Sequence, residues 1–263
     1  MSDVRRVLAW EALDSRGAPT VACLVTAGSG ASGQAIAPAG ASTGTHEAHE
    51  LRDGGPRHAG RGVLRAVDHV NSVIGPALVG RQLGEQQATD AALRALDGTV
   101  DLSRLGANAI LAVSLAYAKA SAADAGEPLH QSARAAEPVL PMPMVNVVSG
   151  GAHAGGMVDI QDVLVVPVGA SSFAEAVEWA VRVRAAAAEL ARKRGLSTAL
   201  VADEGGLAFP LRSNREAVEL VAQAIEHVGL RPGEDAAIAI DIAASGFFDS
   251  GGYRLAAEGR VVS

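Results

Sequence analysis

The chain changes texture near residue 137, and that change limits what it can fold into. Before it, β-type runs come first and helical runs second; after it, short and nearly continuous apolar runs alternate with helices whose ends are marked. Residues 4–38 read as strands around Val7–Ala12, Thr20–Ala27 and Gln34–Pro38, separated by Gly, Ser and Pro turns. From about Gly62 the apolar period becomes helical, with Val63, Val67, Val70, Val73 and Ile74 on one face. A second helix is predicted over 84–97, and a third, alanine-rich one over 107–124, stopped by Gly126 and Pro128. Strands followed by helices describe an α+β unit.

Beyond the joint predicted at Ala133–Pro138, the runs Val139–Val148 and Val158–Val168 read as strands buried on both faces. Ser172-Phe-Ala-Glu175 and Ser213-Asn-Arg-Glu216 are capping boxes, in which serine and glutamate satisfy free amides at a helix start. Gly195 and Gly229 stand where such helices need a left-handed residue to stop. Thr198–Ala202 and Ala236–Asp241 are further strand candidates. Strand and helix then alternate as in the opening of an α/β barrel. The division predicted is 1–133 for the α+β domain and 134–263 for the barrel part.

A net charge of −7 and a pI near 5.5 leave no basic stripe for nucleic acid. Cys23 is the single cysteine, so neither a disulfide framework nor a cysteine metal cluster is expected. The start carries no secretory h-region, and the most apolar stretch, around 107–124, is interrupted by Asn108, Ser114 and Lys119. The expectation is a cytoplasmic protein without a membrane partner.

Two motif matches mislead. Gly28-Ser-Gly30-Ala-Ser-Gly33 fits the dinucleotide pattern, but Gln34-Ala-Ile-Ala-Pro38 is too short and proline-stopped to be the required helix, so a hairpin turn is expected. His46 and His49 are spaced i, i+3, whereas a zincin pair needs i, i+4. His58, His69, His130 and His227 lie on polar or helix-surface stretches and read as solvated residues.

Nine segments carry a resemblance in order: Asp14-Ser-Arg-Gly17, Gly40-Ala-Ser-Thr-Gly44, Gly106-Ala-Asn-Ala-Ile110, Pro141-Met-Pro-Met-Val-Asn146, Gly150-Gly-Ala-His-Ala154, Asp159-Ile-Gln-Asp162, Pro167-Val-Gly-Ala170, Asp203-Glu-Gly-Gly206 and Asp241 at a strand end. Together they resemble the enolase family. The resemblance implies an N-terminal α+β capping domain, an enolase-type α/β (TIM-like) barrel, a homodimer, Mg²⁺, and dehydration of 2-phosphoglycerate, a small phosphorylated carboxylate, to phosphoenolpyruvate in glycolysis.

Removing a proton α to a carboxylate, by a Lys or His base, creates an ene-diolate whose charge Mg²⁺ can hold. By resemblance Glu204 is the general acid, His153, Gln161 and Asp162 face substrate, and Asp241 with Ser42 are metal positions, Ser42 lying in a glycine-hinged lid. Read alone, Asp241 serves equally well as a cap for a following helix, and Ser42 as a turn serine. Asp162 stands where the family has glutamate, Gly246 replaces another, Ala18 and Ala39 replace polar residues, and Leu207-Ala-Phe-Pro210 departs from the pattern after the double glycine.

A full barrel takes about 250 residues, and the stretch from Val139 onward is about half that. The expected barrel is therefore incomplete, with an apolar interior and strand edges facing water. The family's base lysine has no counterpart, since Lys119 and Lys193 both lie in alanine-rich helices. Three readings stay open: a truncated enolase with impaired activity as an isolated chain, a relative acting on a phosphonate analogue, and a non-catalytic binding or scaffold protein that keeps the dimer surface around Arg16.

Overall fold

The computed structural model describes residues 1–40, 42–133 and 139–263. They form two compact units, Met1–Gly40 with His46–Pro138, and Ala41–Thr45 with Val139–Ser263. The predicted joint, Ala133 apart, and Ala41 of the predicted lid lie outside the described residues.

In the first unit β1 (Val4–Leu13), β2 (Pro19–Ala27) and β3 (Ser32–Ile36) form an antiparallel sheet in sequence order. Asp14 makes the first turn: its Oδ1 accepts the amides of Arg16 and Ala18, both at 2.8 Å. The Gly-rich dinucleotide look-alike is the hairpin turn between β2 and β3, with Gly30 at φ 94°.

Helical residues then run through α1 (Leu64–His69), a wide π-type turn at Val70–Ile74, and α2 (Gly75–Leu78). The start of α1 has no local cap; Asp53 reaches in instead, its oxygens accepting Leu64 N and Arg65 N at 2.9 Å each. The helix α3 (Gln86–Asp97) ends on Gly98 at φ 77°. The long α4 (Ala107–Ala125) crosses β2 and β3, and a short α5 (Leu129–Ser132) follows.

Close approach of α4 to the sheet depends on Gly33, where an added Cβ would lie 2.2 Å from Ala120 N. Asn108, buried in α4, spans the backbone of Leu51: its Oδ1 accepts Leu51 N and its Nδ2 donates to Leu51 O, both at 3.1 Å. His69 departs from the solvated role expected of it. It is half-buried, with Nδ1 3.0 Å from Leu105 O, because the loop before α4 folds over α1.

The second unit is built on β4 (Val145–Ser149) and β5 (Asp162–Val166), with α6 (Phe173–Lys193) and α7 (Asn214–His227) packed on each other and on these strands, followed by β6 (Ala237–Asp241). Both capping boxes form. Ser172 Oγ accepts Glu175 N at 3.2 Å and Ser213 Oγ accepts Glu216 N at 3.1 Å. The glutamates, however, return to the residue before the cap, taking Ser171 N at 2.7 Å and Arg212 N at 2.8 Å.

The sheet order is β4-β5-β6, antiparallel throughout and unclosed, as an incomplete barrel requires. Three strand expectations are corrected. Of Val139–Val148 only the part from Val145 is strand, and Val139, Leu140, Met142 and Met144 are exposed, because Pro141 and Pro143 cannot donate to a ladder. Thr198–Ala202 makes only an isolated bridge, Val201 to Leu207, because the chain turns sharply at Asp203–Gly205. Val158–Gln161 stays outside β5 because Asn214 Oδ1 captures the amides of Asp159 and Ile160, at 2.9 and 3.1 Å. After β6 a small antiparallel sheet of β7 (Phe248–Asp249), β8 (Gly252–Leu255) and β9 (Arg260–Val262) was not foreseen. No helix among the described residues is long and apolar enough to cross a membrane.

Candidate functional site

The register of the second sheet gathers chemistry at one end. Ser149 pairs with Asp162, and Asp162 with Asp241, so three polar residues occupy one row across β4, β5 and β6. That row closes the sheet where the apolar strand sequences stop.

Around Asp162 the polar groups are tightly held. It is only 3% exposed, and its Oδ1 accepts Ser149 Oγ at 2.9 Å and the side-chain amide of Asn146. His153, on the single turn Gly151–Ala154 after β4, brings Nδ1 to 3.2 Å from Asp162 Oδ2. That buried nitrogen makes no hydrogen bond, and Asn146 Oδ1 is likewise buried without a partner.

Glu204 completes this group. It stands exposed on the turn Asp203–Gly205, in a left-handed conformation at φ 64°, and one ligand atom from each of His153, Asp162 and Glu204 lies within 4.8 Å of the others. A left-handed non-glycine residue is strained, and such strain persists only where neighbours enforce it. Here Leu207 N donates to Val147 O and Ser149 N to Leu207 O, both at 2.9 Å, pinning the turn to β4. Arg184 Nε on α6 holds the other side, donating to Gly205 O at 2.8 Å. Gly205 adopts φ 82°, and Gly206 has no room for a side chain.

A second group lies alongside. Gln161 Nε2 donates to Asp241 Oδ2 at 3.1 Å, while Ser42 Oγ donates to Gln161 Oε1 at 3.0 Å. The remaining Asp241 oxygen accepts Ala243 N at 3.1 Å, which is the cap-like role open to it from sequence alone. A cavity of about 480 Å³ opens here, lined among others by Ser42, Gly151, Gly156, Gln161, Phe247 and Arg254. The six predicted site residues thus fall into two trios, joined by the peptide link between Gln161 and Asp162. Only Ser42 and Gln161 of the six line the cavity.

Sequence reasoning did not find the holding residues. Ser149 carries no signal of its own, and Asn146, although it ends one of the resembling segments, gains its holding role only through the strand register. Asp159 is another: buried, it accepts Ala256 N at 2.6 Å and Asn214 Nδ2 at 2.9 Å, tying the segment after β8 to the start of α7.

An α+β unit followed by an unclosed α/β barrel unit, with imidazole, carboxylates and amide collected at one end of its sheet, has the architecture of a barrel-type lyase. The enolase N-terminal domain model matches residues 4–132 and the enolase C-terminal TIM barrel domain model matches residues 137–262, and the chain belongs to the enolase family.

Proposed function

We propose that this chain is an enolase-type hydro-lyase acting on 2-phosphoglycerate, with low turnover as an isolated chain. The observation that carries the reading is the meeting of His153, Asp162 and Glu204 within 4.8 Å, in a family whose reaction needs an acid beside the leaving hydroxyl. In that reaction a base takes the proton on C2, the C–H electron pair becomes the C2–C3 double bond, and hydroxide departs from C3; with no lysine at this site, solvent water is the base, in keeping with low turnover. Glu204 gives hydroxide the proton that makes it water. His153 and Asp162, 3.2 Å apart, face the substrate beside it, and Gln161 offers its amide to the substrate oxygens.

The donor set near Asp241 suits Mg²⁺. One carboxylate with a hydroxyl and an amide oxygen nearby matches an ion that binds through one or two carboxylates and otherwise through water and substrate oxygens. Asp241 and Ser42 would hold it, and when bound it neutralises charge on the ene-diolate. Among the described cavity residues Arg254 is the one cation, and it is paired with Asp249 at 3.0 Å.

The test is formation of phosphoenolpyruvate from 2-phosphoglycerate and Mg²⁺ by the purified chain. Slow turnover, lost by about 10²-fold or more in Glu204→Gln, is expected. No turnover by a folded sample, or equal turnover by the variant, would overturn the reading, and turnover of a phosphonate analogue alone would move the substrate assignment.

A further inference from the structure

The His153, Asp162 and Glu204 trio has an unspent capacity. The His153 side chain is only 7% exposed, and its Nδ1 lies 3.2 Å from a carboxylate oxygen without hydrogen-bonding to it. A buried polar atom left unpaired is costly and asks for an explanation. Asn146 Oδ1 is a second such atom, on the amide whose nitrogen holds Asp162.

We propose that these three side chains form a site for a divalent transition cation of the zinc or cobalt kind, separate from the Asp241 anchor. The argument is one of donor chemistry first. An imidazole nitrogen with two carboxylates suits a borderline metal, whereas hard all-oxygen sets suit magnesium. The acceptor atoms offered by Gln161, Ser42 and Asp241 are all oxygens; this trio adds an imidazole nitrogen.

Geometry agrees. Ligand atoms at about 2.1 Å from a tetrahedral ion stand about 3.4 Å apart, so a trio within 4.8 Å needs only a modest contraction. Asp162 is fixed by Ser149 and Asn146, while the contraction falls to the exposed Glu204 side chain. Three protein ligands leave a fourth position for water. A cation seated here holds the Glu204 carboxylate, so it also inhibits dehydration; that consequence, unlike the site itself, rests on the reading of Glu204 as the acid.

The test is titration of the purified chain with Co²⁺, followed by visible absorption, in the presence of excess Mg²⁺. Saturable binding with a tetrahedral-type spectrum is expected, weakened at least about tenfold in both His153→Ala and Glu204→Gln. His227→Ala, which removes an exposed His227–Glu189 pair at 3.7 Å, should bind as the parent does. Unchanged binding in Glu204→Gln, or displacement of Co²⁺ by Mg²⁺, would overturn the proposal. Glu204 is exposed, so its variant stays informative even where His153→Ala fails to fold. Turnover plays no part in this readout, and failure of the dehydration assay would leave the result standing.

Discussion

Gly206 is pressed against Ser149: a Cβ built on Gly206 would lie 2.1 Å from Ser149 Oγ and 3.0 Å from Asn146 Oδ1. The strained turn that carries Glu204 therefore docks on β4 through a position that admits no side chain. Gly206→Ala should force the turn away from the strand. Overpacking of this kind costs about 1–3 kcal/mol, so a lower urea midpoint is expected together with loss of any Glu204-dependent activity. A variant as stable as the parent would show that the turn can shift freely.

In the first unit Glu11 links β1 to the loop before α1. The Arg57 guanidinium, 2.8 Å from Oε2, holds its carboxyl down from 4.5 to about 2, with further help from Val63 N at 3.1 Å and against the opposing effect of burial. A depressed folded value means that this contribution is complete above the unfolded value near 4.5 and fades as pH falls toward 2. Glu11→Gln should be less stable than the parent at neutral pH, and the difference should shrink across that interval. Urea unfolding at a series of pH values measures it, and a constant difference would refute the linkage.

Cys23 faces the core from β2 with no exposed surface, and burial pushes its thiol up to about 12. The thiolate is the reactive form. Alkylating reagents at neutral pH should leave the native chain unmodified and react promptly once denaturant is added. Mass spectrometry of the two samples distinguishes these outcomes.

Asn108 satisfies both backbone groups of Leu51 from within α4. Asn108→Ala would leave a buried donor and acceptor unpaired, at about 1–3 kcal/mol each where no water enters. Thermal unfolding should shift clearly downward; a shift within error would mean that the loop at Leu51 finds other partners.

Much of the helical framework was legible because its signals are local. Ser172, Ser213, Gly195 and Gly229 each act within one turn of their own helix. Asp53 and Asn108 were not legible as caps or clamps, because their partners are 11 to 57 residues away in sequence. Strand ends failed for the same reason: nothing near Val158 announces that Asn214 will hold Asp159 and Ile160. The candidate site shows the same divide. Glu204, His153 and Asp241 sit in segments that resemble the family, whereas their division into two trios depends on one register row, which no single segment encodes.

The unequal pairing of the three barrel-unit strands has a further consequence. Among the described residues β5 is bonded on both sides, whereas β6 is bonded to β5 alone and leaves Ile240 and Ile242 about half exposed. Opening β6 breaks one ladder; opening β5 breaks two. Deuterium should therefore enter the amides of Ala237–Asp241 well before those of Asp162–Val166. The row of Ser149, Asp162 and Asp241 spans that gradient, with Asp241 on the strand expected to exchange first and Asp162 on the strand expected to exchange last.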